Sequence, residues 1–161
     1  MDVLILRDPR ESERKCSLTP LRGVEGIRFV NHVPGRTLAA EGRILLTPEA
    51  PELTLADAGR GLLLVDSNWR RAPRLREALV GDFLPRSLPP LKTAYPRMSQ
   101  VFVDPEQGLA SVEALYAALA LLGEPRPDLL EEYRWGAEFL AQNPGLAGSW
   151  PDHGPDPGRE L

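Results

Sequence analysis

The sequence predicts a mainly parallel α/β fold, on three observations. Apolar residues gather in short continuous runs at 3–6, 44–46 and 62–65, rather than in alternating ones. Each run stops at a polar or turn-forming cluster: Arg7-Asp8-Pro9, Thr47-Pro48 and Asp66-Ser67-Asn68. Helical periodicity is confined to the last third of the chain. Continuous apolar runs suit strands covered on both faces, and such strands are usually parallel.

The first strand is expected over 3–6 and a weaker, alternating one within 26–33. A third is expected over 43–46 and the strongest over 61–65, closed by Asp66. Two helices follow. Ser111 is placed to cap the first, whose Val112, Leu115, Tyr116, Leu119 and Leu122 share one face before Gly123 ends it. Pro127 suits the first position of the second, with Leu129, Leu130, Tyr133, Ala137 and Leu140 on one side and Trp135 and Phe139 on another. Residues 144–161 hold eight Pro or Gly and are expected to be a disordered tail. The chain thus divides into an α/β part over 1–91, a helical part over 92–143 and the tail over 144–161.

At 161 residues with 42% hydrophobic and 26% charged residues, the chain has globular proportions. No apolar run reaches the roughly 18 residues that cross a bilayer, and Arg7 cuts the first one short of a signal-peptide core. One cysteine, Cys16, permits no internal disulfide, so a cytoplasmic address is expected; a monomer is expected as well. Cys16 with His32 and His153 gives no metal-ligand spacing, and no metal is expected. No Walker A and no Gly-x-Gly-x-x-Gly follows a strand, which argues against nucleotide hydrolysis.

The net charge of −4 conceals an asymmetry. Through Val103 there are 16 Lys and Arg against 12 Asp and Glu; from Asp104 on there are 3 against 11. A basic first two thirds fits an anionic ligand or RNA, or else a solvated surface followed by an acidic end. Asp66 and Trp69 end the strongest strand, and ligands of α/β sheets bind beyond the carboxyl ends of strands. There Asp66 can accept hydrogen bonds from a hydroxyl or amine, and Trp69 can wall an apolar or cationic group. The structural alternative is that Asp66 caps the next helix and Trp69 fills the core. Arg70, Arg71, Arg74 and Arg76 follow, suited to phosphate or to a solvated helix face.

Six motifs in order between residues 5 and 146 resemble the small-subunit rRNA aminocarboxypropyltransferases, relatives of the DTW-domain tRNA-modifying proteins. They are Asp8-Pro9 with Lys15-Cys16-Ser17, Leu46-Thr47-Pro48 with Leu55-Ala56-Asp57, and Val65-Asp66-Ser67-Asn68-Trp69. Arg86-Ser87-Leu88-Pro89-Pro90-Leu91, the segment from Leu109 to Leu115, and Trp135-Gly136 with Phe139 and Asn143 complete them. Residues 92–99 depart from the family's Asn- and Tyr-bearing loop and keep Pro96.

The resemblance implies a SPOUT-like knotted α/β fold, with an N-terminal parallel sheet, a helical C-terminal part and the knot between about Leu62 and Leu122. It implies S-adenosylmethionine as cofactor and transfer of its aminocarboxypropyl group to N3 of a uridine or pseudouridine. The RNA is rRNA in preference to tRNA, which places the chain in ribosome biogenesis. By resemblance, Ser17 and Ser111 hold the amino-acid end, Leu46 and Leu91 line the adenosine pocket, Trp69 covers the methyl group, and Asp66 contacts the cofactor and takes the N3 proton. Arg10, Arg14, Lys15, Arg70, Arg71 and Arg74 are the candidate RNA contacts. A SPOUT-type methyltransferase and a non-catalytic RNA-binding or assembly factor are the alternatives.

Overall fold

The computed structural model describes residues 1–12, 14, 16–68, 70–96 and 108–147. Lys15 and Trp69, both named above, lie outside the described residues. The chain forms two units, Met1–Glu52 with Gly59–Ser87, and Leu53–Ala58 with Leu88–Leu161.

The first unit is built on a parallel sheet of five strands among the described residues, in the order β2-β1-β5-β4-β7. These are β1 (Val3–Arg7), β2 (Ile27–Asn31), β4 (Ile44–Leu46), β5 (Leu62–Asp66) and β7 (Leu84–Arg86). Two further short strands, β3 (Leu38–Ala39) and β6 (Leu79–Val80), pair in parallel beside it. The apolar runs at 3–6, 44–46 and 62–65 thus become neighbouring strands, and β1 and β5 carry most of the burial. Register follows the pleat: Val3, Ile27, Leu62, Ile44 and Leu84 align across the sheet. On one face Leu4, Leu6, Leu45 and Leu63 pack with Ala40, Leu79 and Leu75, the last from helix α1 (Ala72–Arg76). The opposite face carries Val3, Ile5, Leu62, Leu64 and Ile44, and ends in Arg7, Asp66 and Leu46. Strands β3, β6 and β7 are two or three residues long, too short for a recognisable run.

The second unit centres on helix α2 (Ser111–Leu121), in which Leu115, Tyr116, Ala117, Ala118, Leu119 and Ala120 are all buried. The apolar stripe was expected on one face; the alanines between let neighbours close on the others. Ser111 is the first helical residue, not the cap. Ala110 stands at the cap, and its N–H donates to Glu113 Oε1 at 2.8 Å. Gly123, at φ +85°, ends the helix as expected. The Glu124 N–H returns to the Leu119 carbonyl at 2.9 Å, closing a Schellman turn.

The second expected helix is broken in two. Pro127–Leu130 forms a single 3-10 turn, and α3 (Gly136–Gln142) begins only at Gly136. Leu129, Leu130, Tyr133 and Phe139 remain buried, but the break re-phases the rest and leaves Ala137 exposed. A Cβ on Gly136 would stand 3.1 Å from both the Leu130 carbonyl oxygen and its Cβ, so this glycine permits the close return of the chain. Gly136→Ala is therefore expected to cost ~1–3 kcal/mol, measured as a lower Tm; an unchanged Tm would contradict this packing. Residues 144–147, assigned to the tail from their composition, instead form helix α4 (Pro144–Ala147) and bury Leu146.

Glu113 and Asn143 organise this unit. Glu113 is fully buried, and its carboxylate accepts from Thr93 Oγ1, the Ala94 N–H, the Ala110 N–H and Tyr133 Oη at 2.6–2.9 Å. Asn143 clasps Lys92 through its N–H and carbonyl, both at 2.8 Å, and also caps Phe139. The Thr54-Leu55-Ala56-Asp57 motif is a capping box: Thr54 Oγ1 accepts from the Ala56 N–H, and Asp57 accepts from the Thr54 N–H. These segments, which carry the resemblance, thus serve folding here.

Candidate functional site

The chain leaves β1 toward β2 on one side of the sheet and leaves β5 toward β7 on the other. Adjacent strands whose onward connections diverge open a crevice at their carboxyl ends, where α/β sheets place their ligands. The residues at this crevice are Arg7 and Asp8 from the end of β1, and Asp66, Ser67 and Asn68 from the end of β5.

Their side chains form a charged cluster. Asp8 is fully buried. Its Oδ1 accepts from the Arg10 N–H at 3.0 Å, and its Oδ2 accepts from Arg71 Nε at 2.6 Å and from Ser67 Oγ at 3.3 Å. Burial pushes the Asp8 carboxyl up, but the Arg10 N–H, the Arg71 guanidinium and the Ser67 hydroxyl outweigh it and hold it below the usual aspartate value. Asp66 Oδ2 accepts from Cys16 Sγ at 3.1 Å and lies 3.7 Å from Arg7 Nε. Glu11 accepts a long bond from Asn68 Nδ2 at 3.5 Å. Burial and the neighbouring Asp66 and Asp8 carboxylates hold Glu11 above the usual glutamate value.

Cys16 reports on this cluster. Burial, the Asp66 charge and the hydrogen bond given to Asp66 push its thiol up to about 11. The thiol is therefore protonated near neutrality and inert to alkylation. Its folded value exceeds the ordinary 9.0, so its contribution to stability is complete below about pH 9 and is lost as pH rises through about 11. The alkylation rate at pH 8 should be about a hundredfold below that of a free thiol, and Asp66→Asn should raise it. A wild-type rate equal to a free thiol's would contradict the arrangement.

The structure brings together several of the residues singled out in the sequence. Ser17, half-buried, directly follows Cys16, whose thiol binds Asp66. Leu46 ends β4 on the same sheet face as Asp66. Arg71 stands at the N-cap position of the following helix, and Asn68 Oδ1 accepts from the Arg71 N–H in that turn. Asp8 joins two basic segments, since it holds both the Arg10 N–H and the Arg71 guanidinium. Arg10, Arg14, Arg70 and Arg74 are exposed, whereas Arg71 is engaged by Asp8. Leu91 and Ser111 belong to the second unit, both half-buried. Sequence reasoning missed Arg7 and Glu11; a charged residue continuing the apolar run of 3–6 was the available signal.

The chemistry of this donor set fits S-adenosylmethionine. Asp66 and Glu11 set acceptors beside the guanidinium of Arg7 at this end of the sheet, a mixed set suited to a ligand bearing a sulfonium, an ammonium and a carboxylate. Leu46 supplies apolar surface on the same face.

No protein-family model matches the chain. A curated relative, the 16S rRNA aminocarboxypropyltransferase of Vulcanisaeta distributa, is 29% identical over 150 residues, spanning 88% of this chain and 77% of that protein. The solved structure of the SAM-dependent rRNA:acp-transferase Tsr3 from Vulcanisaeta distributa is similar with a TM-score of 0.70 at 29% identity, covering 91% of this chain and 83% of that one.

Proposed function

We propose that this chain, similar to the 16S rRNA aminocarboxypropyltransferases in both sequence and fold, is an S-adenosylmethionine-dependent rRNA aminocarboxypropyltransferase. The observation that carries this reading is a likeness running over 91% of the chain in structure and 88% in sequence. The acceptor in this proposal is N3 of a uridine or pseudouridine.

When bound, S-adenosylmethionine supplies an activated aminocarboxypropyl group and leaves as methylthioadenosine. The work left to the protein is positioning more than covalent help. Asp66 accepts hydrogen bonds from the cofactor and takes the proton released by the acceptor nitrogen. Cys16, protonated, holds the Asp66 carboxylate by its S–H. Asp8 fixes the two loops that frame the site by binding Arg10 and Arg71. Ser17 and Leu46 take the roles that the resemblance gives them; those of Trp69, Leu91 and Ser111 rest on the resemblance alone. The knotted SPOUT-like topology belongs to this proposal too, and a chain trace that pulls straight from both ends would refute it.

RNA is proposed to meet Arg10, Arg14, Arg70 and Arg74, with Arg71 spent on Asp8. Each lost phosphate contact should reduce the salt dependence of binding by about 0.7 in log–log slope for a single strand. Arg70→Glu with Arg74→Glu is thus expected to flatten the slope while leaving cofactor affinity nearly intact. An unchanged slope would move the RNA face elsewhere.

The function is tested by mass spectrometry of rRNA nucleosides from a strain lacking this protein and from its parent. One aminocarboxypropylated uridine or pseudouridine should vanish. Identical nucleoside profiles would refute the reading.

A further inference from the structure

Arg7 carries more than a structural ion pair requires. It closes a strand whose other residues are Val, Leu, Ile and Leu, and its side chain is only 1% exposed. The register sets it directly beside Asp66 on the same sheet face. Its Nη2 donates to Thr19 Oγ1 at 3.1 Å, and its guanidinium carbon lies 5.9 Å from the centre of the Phe29 ring. Held by Thr19 and Phe29, the guanidinium has little freedom to turn away. Yet Nε stops 3.7 Å from Asp66 Oδ2, and both Nε and Nη1 lack a hydrogen-bond partner among the described residues. A pair selected for stability alone would close that gap, because buried donors left unmade are costly. Unspent donors of this kind gather at functional sites.

We propose that Arg7 is a positioning residue for the transfer reaction: it holds the Asp66 carboxylate, against Cys16 on the same oxygen, in the orientation that meets the cofactor. This rests on Asp66 being a cofactor contact. Asp66 Oδ2 is shared between Cys16 Sγ and Arg7 Nε, so its aim depends on both. Without the guanidinium, the carboxylate loses the charge 3.7 Å away that helps to fix its orientation.

The test is a double-mutant cycle read by calorimetric affinity for S-adenosylmethionine and by transfer kinetics on small-subunit rRNA. Arg7→Met is expected to weaken cofactor binding about tenfold and to lower kcat with the KM for RNA unchanged. Arg7→Lys, which keeps the charge but cannot bridge Thr19 and Asp66, should recover part of the loss. In the Asp66→Asn background, Arg7→Met should cost almost nothing further, because the two residues act as one. Full additivity, or a folded Arg7→Met with wild-type affinity and kcat, would overturn the proposal. If Arg7→Met does not fold, Arg7→Lys takes its place in the cycle with the same non-additivity expected. An Asp66→Asn variant that binds and transfers normally would sink the reading of Asp66 itself, an outcome distinct from additivity.

Discussion

Asp66→Asn should bind S-adenosylmethionine at least about tenfold more weakly, and should transfer its aminocarboxypropyl group about 10²-fold or more slowly. The first effect follows from losing a hydrogen bond to a charged group, worth ~1.5–3 kcal/mol. The second follows from losing a positioned base, which typically contributes 10²–10⁴-fold. The substitution keeps size and shape, so the Cys16 contact at 3.1 Å has an oxygen or an amide to meet and the sheet end is preserved. Some transfer should persist, because the sulfonium is already an activated leaving group and positioning supplies much of the rate. Calorimetry and single-turnover rates separate the two losses. Wild-type affinity and rate in the variant would remove Asp66 from the site.

Glu113→Ala should be strongly destabilising, by ~3–5 kcal/mol. The residue is fully buried, and its carboxylate accepts from Thr93 Oγ1, Ala94 N–H, Ala110 N–H and Tyr133 Oη. Removing it leaves these donors without the acceptor that compensated their desolvation, and opens a cavity beside α2. Glu113→Gln keeps one acceptor but turns an NH2 toward donors, so it should fall between alanine and wild type. Denaturant melts of the three proteins read the difference. A loss below about 1 kcal/mol for alanine, the size of an ordinary substitution, would contradict the network.

The central strands were legible because burial on both faces leaves a continuous apolar run, as in Val3-Leu-Ile-Leu6 and Leu62-Leu-Leu-Val65. The place of Asp66 at the end of the sheet was legible for the same reason, since it closes the clearest run. Strands β3, β6 and β7 were not, because two or three residues carry no period and tertiary pairing alone makes them extended. The second helix was misread across 131–135. Its apolar spacing suits a helix, but Gly136 packs against Leu130 and turns the chain first. Arg7 and Cys16 meet Asp66 from 59 and 50 residues away, and no local pattern encodes such a meeting. Glu113 illustrates the converse: a charged residue on a helix reads as solvent-facing until its partners at 93, 94 and 133 are known.

The measurement that tests the account most directly is the small-molecule product released when the wild-type protein turns over S-adenosylmethionine with small-subunit rRNA. Chromatography with mass detection distinguishes the two candidates. Aminocarboxypropyl transfer releases methylthioadenosine in step with the modified nucleoside, and that is the result expected. S-adenosylhomocysteine in its place would make the chain a methyltransferase and contradict the account.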